Sequence, residues 1–192
     1  MGFGRVGFLL YLTRTHGIVR RYFVVNGFDG ALTMLGIVTG FYVADGGDLD
    51  VVISACLGAA VALAMSGLSS AYISERAERR KALAELEASM MADLSSSDHG
   101  SAARWVPLWI GAVNGLAPFM LSLLIISPLG LAQAGLTLPL SPLLMAMVTA
   151  LGVIFLLGVF LGQIGRTFWL LSGVQTLIIA VVTIAIILLL GR

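Results

Sequence analysis

Residues 51–74 read VVISACLGAAVALAMSGLSSAYIS, and residues 75–94 continue without a break as ERAERRKALAELEASMMADL. The first part carries no charge and is long enough to cross a bilayer: each helical residue rises about 1.5 Å against a hydrocarbon core of about 30 Å. In the second part Leu83, Leu86, Met90 and Leu94 recur at i, i+3, i+7 and i+11 among charged residues, the pattern of an amphipathic helix. The stretch therefore reads as a membrane-spanning helix over 51–74 that leaves the bilayer as a charged helix over 75–94. Lipid offers no partner for free backbone N–H and C=O groups, so a chain that crosses here does so as a helix.

Four more apolar runs flank this one, at about 22–43, 105–128, 140–162 and 168–190. The acidic turn ADGGDLD (44–50) joins the first two spans into a hairpin, and the polar stretch 95–104 reads as a linker. The fold class expected is an all-α membrane protein of five transmembrane helices, with the second extended into the cytoplasm. Composition agrees: 59% of the 192 residues are hydrophobic and 11% are charged, where a soluble domain has about 25% charged. Mean hydropathy is +1.03.

Orientation follows from the basic residues, which stay on the cytoplasmic side. Five spans place Arg5, Arg14, Arg20, Arg21, Arg76, Arg79, Arg80, Lys81, Arg104 and Arg166 on one face, ten of the eleven, with Arg192 outside the set. The N-terminus is therefore expected in the cytoplasm and the C-terminus on the opposite side. Residues 1–21 combine an apolar run too short to span with no small-residue cleavage site and no myristoylation pattern. Phe3, Val6, Leu10 and Tyr11 fall near one face, so this segment reads as an interfacial amphipathic helix.

Asp29, in NGFDGALT, is the only carboxylate inside any span, about 10 Å along the helix from Tyr22. A membrane carboxylate is costly and points by default to an ion ligand or proton carrier. The alternative is a structural acid paired with Arg20 or Arg21, or bonded to backbone near Gly27 and Gly30. Asn26 and Thr33 stand at i−3 and i+4 from Asp29 and share its face. In the second span Ser54, Gly58, Ala62, Ser66, Ser70 and Ser74 form an i, i+4 stripe of small residues, the pattern of a close helix–helix seam. Met65, Ser69 and Tyr72 lie on an adjoining face, and Met65 is a candidate soft ligand for a transition metal or a packing residue. The third span aligns Pro107, Gly111 and Gly115, with Asn114, Pro118 and Ser122 beside them. Two prolines predict a bent or opened helix.

In the charged helix, Glu75 with Arg79 and Lys81 with Glu85 have ion-pair spacing. The other reading is metal capture by Glu75, Glu78, Glu85 and Glu87 together with Met90 and Met91. Asp45, Asp48 and Asp50 fit a solvated turn, being too few and too close for an EF-hand loop. Cys56 has no partner for a disulfide and reads as packing. No nucleophile–base arrangement, nucleotide loop or HExxH motif occurs, and His16 and His99 lie outside the spans, so no enzymatic activity or cofactor is expected. Nor is a nucleic-acid partner, since no basic patch is interleaved with aromatics outside the membrane flanks.

Three stretches, NGFDGALTMLGIVTG (26–40), ALAMSGLSSAYISERAERRKA (62–82) and GRTFWLLSGVQTL (165–177), together resemble the vacuolar iron transporter family, in particular its short prokaryotic members. The resemblance covers most of residues 20–190. It implies a homodimer of five-helix subunits in a prokaryotic plasma membrane, exchanging divalent iron or manganese for protons along a path near the dimer interface. It matches Asp29 to the family's membrane aspartate and Met65 to a family methionine. The candidate metal ligands are then Asp29, Met65, Glu75, Glu78, Glu85, Glu87 and Met90, with Asn26, Thr33, Ser66, Ser69 and Asn114 lining the path. In a dimer two Asp29 carboxylates face the axis, where burial disfavours the charged form and permits proton exchange against a cation. The chain departs from the family in having no glutamate in SACLGAAVALAM (54–65), and in a cytoplasmic segment too short for a multi-helix metal-binding domain.

Overall fold

A computed structural model describes residues 16–46 and 48–191. Five α-helices occur among the described residues: α1 (His16–Val43), α2 (Leu49–Met90), α3 (Asp98–Gln133), α4 (Pro142–Ile164) and α5 (Trp169–Leu190). All five are long and apolar enough to cross a membrane, which marks an integral membrane protein. The expected interfacial helix at 1–21 falls mostly outside the described residues, and its residues 16–21 are the first turns of α1.

The helix boundaries have local causes. The α1–α2 connection turns at Asp45 (φ 59) and Gly46 (φ 71). The Asp50 side chain, in the first turn of α2, accepts a hydrogen bond from Gln133 near the end of α3. The uninterrupted passage from apolar span into charged helix is a single helix, as its sequence predicts. It stops at Met90 rather than at residue 94, because Met91 takes a left-handed conformation (φ 49). The return is short: Leu94 N–H donates to Glu87 Oε1 (3.0 Å) and Ser97 Oγ accepts from the Gly100 N–H (3.3 Å). Ser97 thereby caps a helix that begins at Asp98, so most of the expected linker 95–104 is the first part of α3. Ser141 caps α4 in the same way, followed by Pro142 at the first helical position.

The chain divides into two compact units. One holds residues 24–63 and 117–191. Its core is built on Ala31, Met34, Leu35 and Val38 of α1, Val52, Cys56 and Ala60 of α2, Ile125 and Leu129 of α3, Ala150 and Ile154 of α4, and Ala180 of α5. Two devices bring these helices close. A methyl group built on Gly30 would lie 2.8 Å from Pro118 Cα, so α1 meets α3 backbone to backbone there. Against α5, Gly158 of α4 faces the Thr176 hydroxyl, which donates to the Ile154 carbonyl (3.1 Å).

The other unit holds residues 16–23 and 64–116. Ala71 of α2 and Ala102, Val106 and Ile110 of α3 form its core, with Val19 and Tyr22 of α1 against it. Here the close approach is reciprocal: a methyl on Gly67 would lie 2.8 Å from Asn114 O, and one on Gly115 2.5 Å from Ala64 O. The half-buried Leu83 and Leu86 face Ala102 and Ala103 across a small cleft, which gives the amphipathic charged helix its inner side.

Candidate functional site

Helix α1 buries Val24, Gly27, Gly30, Ala31, Met34, Leu35 and Val38 on one face. Asp29 sits on the opposite face and is exposed, with Asn26 and Thr33 half-buried beside it. Among the described residues no ion pair or hydrogen bond engages the Asp29 carboxylate. The Asp-Gly pair thus has two jobs in adjacent positions: Gly30 admits Pro118, and Asp29 is turned away from the protein core.

The stripe on α2 also faces outward. Ser54, Gly58, Ala62, Ser66, Ser70 and Ser74 are all exposed, while the buried line of the same helix is Val52, Cys56, Ala60, Gly67, Ala71 and Glu75. The seam expected of those small residues is therefore not made among the described residues. The close contact uses Gly67 on α2 and the aligned Gly111 and Gly115 on α3. Met65 is 59% exposed, and Ser66 and Ser69 are exposed with it. Ser69 bonds back to the Met65 carbonyl at 2.7 Å, one turn earlier in the helix.

Asn114 is buried, and its Nδ2 donates to the Gly67 carbonyl at 2.7 Å. It serves the helix seam. Two buried hydroxyls, Thr39 Oγ1 and Ser122 Oγ, have no hydrogen-bond partner among the described residues. The contrast predicts opposite outcomes. Asn114→Leu should lower stability in detergent by about 1 kcal/mol, the scale of an interhelical hydrogen bond in a membrane protein. Thr39→Val, which removes an unsatisfied group of similar shape, should leave the unfolding midpoint unchanged or raise it.

The charged part of α2 carries two ion pairs. Glu75 is 5% exposed, and its Oε2 lies 3.7 Å from Arg79 Nε. Glu85 pairs with Lys81 at 3.9 Å, both exposed. Glu87 accepts from the Leu94 N–H, Glu78 is exposed, and Met90 is 58% exposed. The Ser95 backbone N–H, 2.8 Å from Asp93 Oδ1, holds the Asp93 carboxyl below its usual range. Among the described residues no three His, Cys, Asp or Glu side chains come together to hold a metal ion. The expected set Glu75, Glu78, Glu85, Glu87 and Met90 is thus spread along a helix instead of gathered at a point.

Comparison with known proteins adds one relative. An uncharacterised protein of Methanocaldococcus jannaschii is 27% identical over 158 residues, covering 81% of this chain and 79% of the relative. No family model and no solved structure matches the chain.

Features that a single sequence does not display are the pairing of Gly67 with Asn114, 47 positions away, and a cluster of Tyr72, Arg76, Arg80 and Arg104 around one cleft. The tyrosine and arginines are readable one by one as membrane flanks. Their convergence depends on the turn between α2 and α3.

Proposed function

We propose that the protein is a homodimeric transporter of a divalent metal cation, iron or manganese, coupled to protons, in the plasma membrane of a prokaryote with its N-terminus in the cytoplasm. The observation that carries this reading is the outward-facing Asp29. A carboxylate left against hydrocarbon costs about 2.5–3.5 kcal/mol on insertion scales, and more by other measures. A second copy relieves that cost by covering the residue and, by two-fold symmetry, presents its own Asp29 opposite. Two carboxylates with Asn26 and Thr33 beside each form an oxygen-rich site suited to manganese or ferrous iron, and protonation of the same groups releases the ion. The exposed stripe from Ser54 to Ser74 supports the assembly, since small residues allow close helix approach in lipid. The uneven partition of basic residues supports the orientation. The resemblance at 26–40, 62–82 and 165–177 supports the choice of ion.

A second reading, a non-transporting scaffold or metal sensor acting through the charged helix, is favoured by the lack of any acid in residues 54–65. Purified protein in sealed proteoliposomes separates the two. Transport predicts manganese entry, reported by a trapped metal-sensitive dye, together with a change in internal pH. Tight vesicles that take up no metal, from protein that still binds metal in detergent, would overturn transport in favour of the sensor.

A further inference from the structure

We infer that a cleft between the charged end of α2 and the first turns of α3 binds a phosphate group, and that Arg76, Arg80 and Arg104 hold it. The cleft measures about 340 Å³, room for a phosphate ester head but not for a large cofactor. Tyr72, Arg76 and Arg80 follow one another at four-residue spacing, so they line the same side of α2. Arg76 stacks over the Tyr72 ring, with its guanidinium carbon 5.7 Å from the ring centroid. Arg104 Nη2 donates to the Ser95 carbonyl at 3.1 Å, which orients that side chain and leaves most of its five N–H donors unused. Among the described residues no carboxylate lines the cleft and none of the three arginines is ion-paired. Of the four acids in the charged part of the same helix, Glu75 is engaged with Arg79, Glu85 with Lys81 and Glu87 with the Leu94 backbone, while the exposed Glu78 is not among the residues that line the cleft.

Three arginines line this one cleft, and like charges so placed repel one another unless an anion joins them. Planar donor forks match the oxygens of phosphate better than those of a spherical anion. The level of the cleft suits a membrane source. Tyr72 lies two residues before the end of the apolar run at Ser74, and Arg104 directly precedes Trp105 at the start of the third apolar run. Headgroup phosphates lie at that depth, and basic pockets at helix ends take anionic headgroups. Gly100 packs directly against the Ser95 and Leu94 carbonyls, where any side chain would collide, and this tight turn brings Ser95 and Arg104 to the edge of the cleft. This site does not depend on the transport reading.

The test uses the full chain purified in a neutral detergent. It is titrated separately with dioctanoyl phosphatidylglycerol, dioctanoyl phosphatidylcholine and inorganic phosphate at constant ionic strength, and binding is followed by native mass spectrometry and calorimetry. Saturable binding of one phosphatidylglycerol per chain is expected, with much weaker binding of phosphatidylcholine, whose ammonium group meets the arginines. R76Q, R80Q and R104Q should each weaken binding about tenfold, the effect of losing a charge-assisted hydrogen bond. R80K, which keeps the charge and loses the fork, should fall between, and K81Q on the same helix should bind as the native chain does. Inorganic phosphate that binds with the same arginine dependence and competes at equal concentration identifies a soluble anion as the source. Phosphate that competes only at a large excess identifies the lipid. If no probe binds saturably, or if K81Q and R80Q weaken binding equally, the site does not exist as described. R80K keeps this decision open should any of R76Q, R80Q and R104Q fail to fold: binding by R80K equal to that of the native chain would also overturn the site.

Discussion

Asp29→Asn is expected to abolish metal uptake into proteoliposomes, by about 100-fold or more, while the variant folds and assembles as the native chain does. The substitution keeps the size and one carbonyl oxygen of the side chain but removes its charge and its titration. A cation drawn into a low-dielectric path needs an opposite charge, and losing the partner of a desolvated charge costs about 3 kcal/mol or more, about two powers of ten in rate or affinity. Because Asp29 is exposed on α1 and takes no partner among the described residues, the replacement disturbs no contact in the subunit core. Stability in detergent should therefore stay within about 0.5 kcal/mol of native. Undiminished flux in the variant would remove the central residue of the proposed mechanism.

Gly115→Val is expected to be the most damaging substitution for the fold. A β-carbon at this position would lie 2.5 Å from Ala64 O and 2.9 Å from Leu68 Cβ, and one on Gly67 of the facing helix would lie 2.8 Å from Asn114 O. The obstacles are mostly backbone atoms, which cannot rotate aside as a flexible side chain does. Overpacking a tight contact usually costs about 1–3 kcal/mol, and a branched side chain between two backbones belongs at or above the upper end. The measurable result is a large drop in the detergent unfolding midpoint or loss of monodisperse protein. Gly152→Ala is the matched control. Nothing lies within 4 Å of a methyl at Gly152, and the change should be neutral or stabilising by up to about 1 kcal/mol through helix propensity. If both variants unfold alike, the α2–α3 seam is not where the structure has it.

Much of the architecture could be read along the chain because its causes are local. A run of apolar residues must form a helix in lipid, whatever its neighbours do. The ion pairs Glu75–Arg79 and Lys81–Glu85 follow from i, i+4 spacing on one helix. Helix ends were less legible. The residue at which α2 stops depends on the left-handed Met91, and the start of α3 on Ser97, in a stretch that polarity alone marks as a linker.

The candidate site was legible as residue types and not as an arrangement. Hydropathy and charge were enough to establish five spanning helices and Asp29 as the one carboxylate among them, since both depend only on which residues are present and how far a helix must reach. Which side of each helix faces inward came from the packing alone. In water the apolar face of a helix announces itself, but in lipid the outer face is as apolar as the core. The two small-residue lines of α2 are therefore equivalent until partners are known. Gly67 and Ala71 meet α3 because Gly111 and Gly115 stand opposite, and the serine stripe is left outside. The same holds for α1, where the fit of Gly30 to Pro118 turns Asp29 away from the protein core.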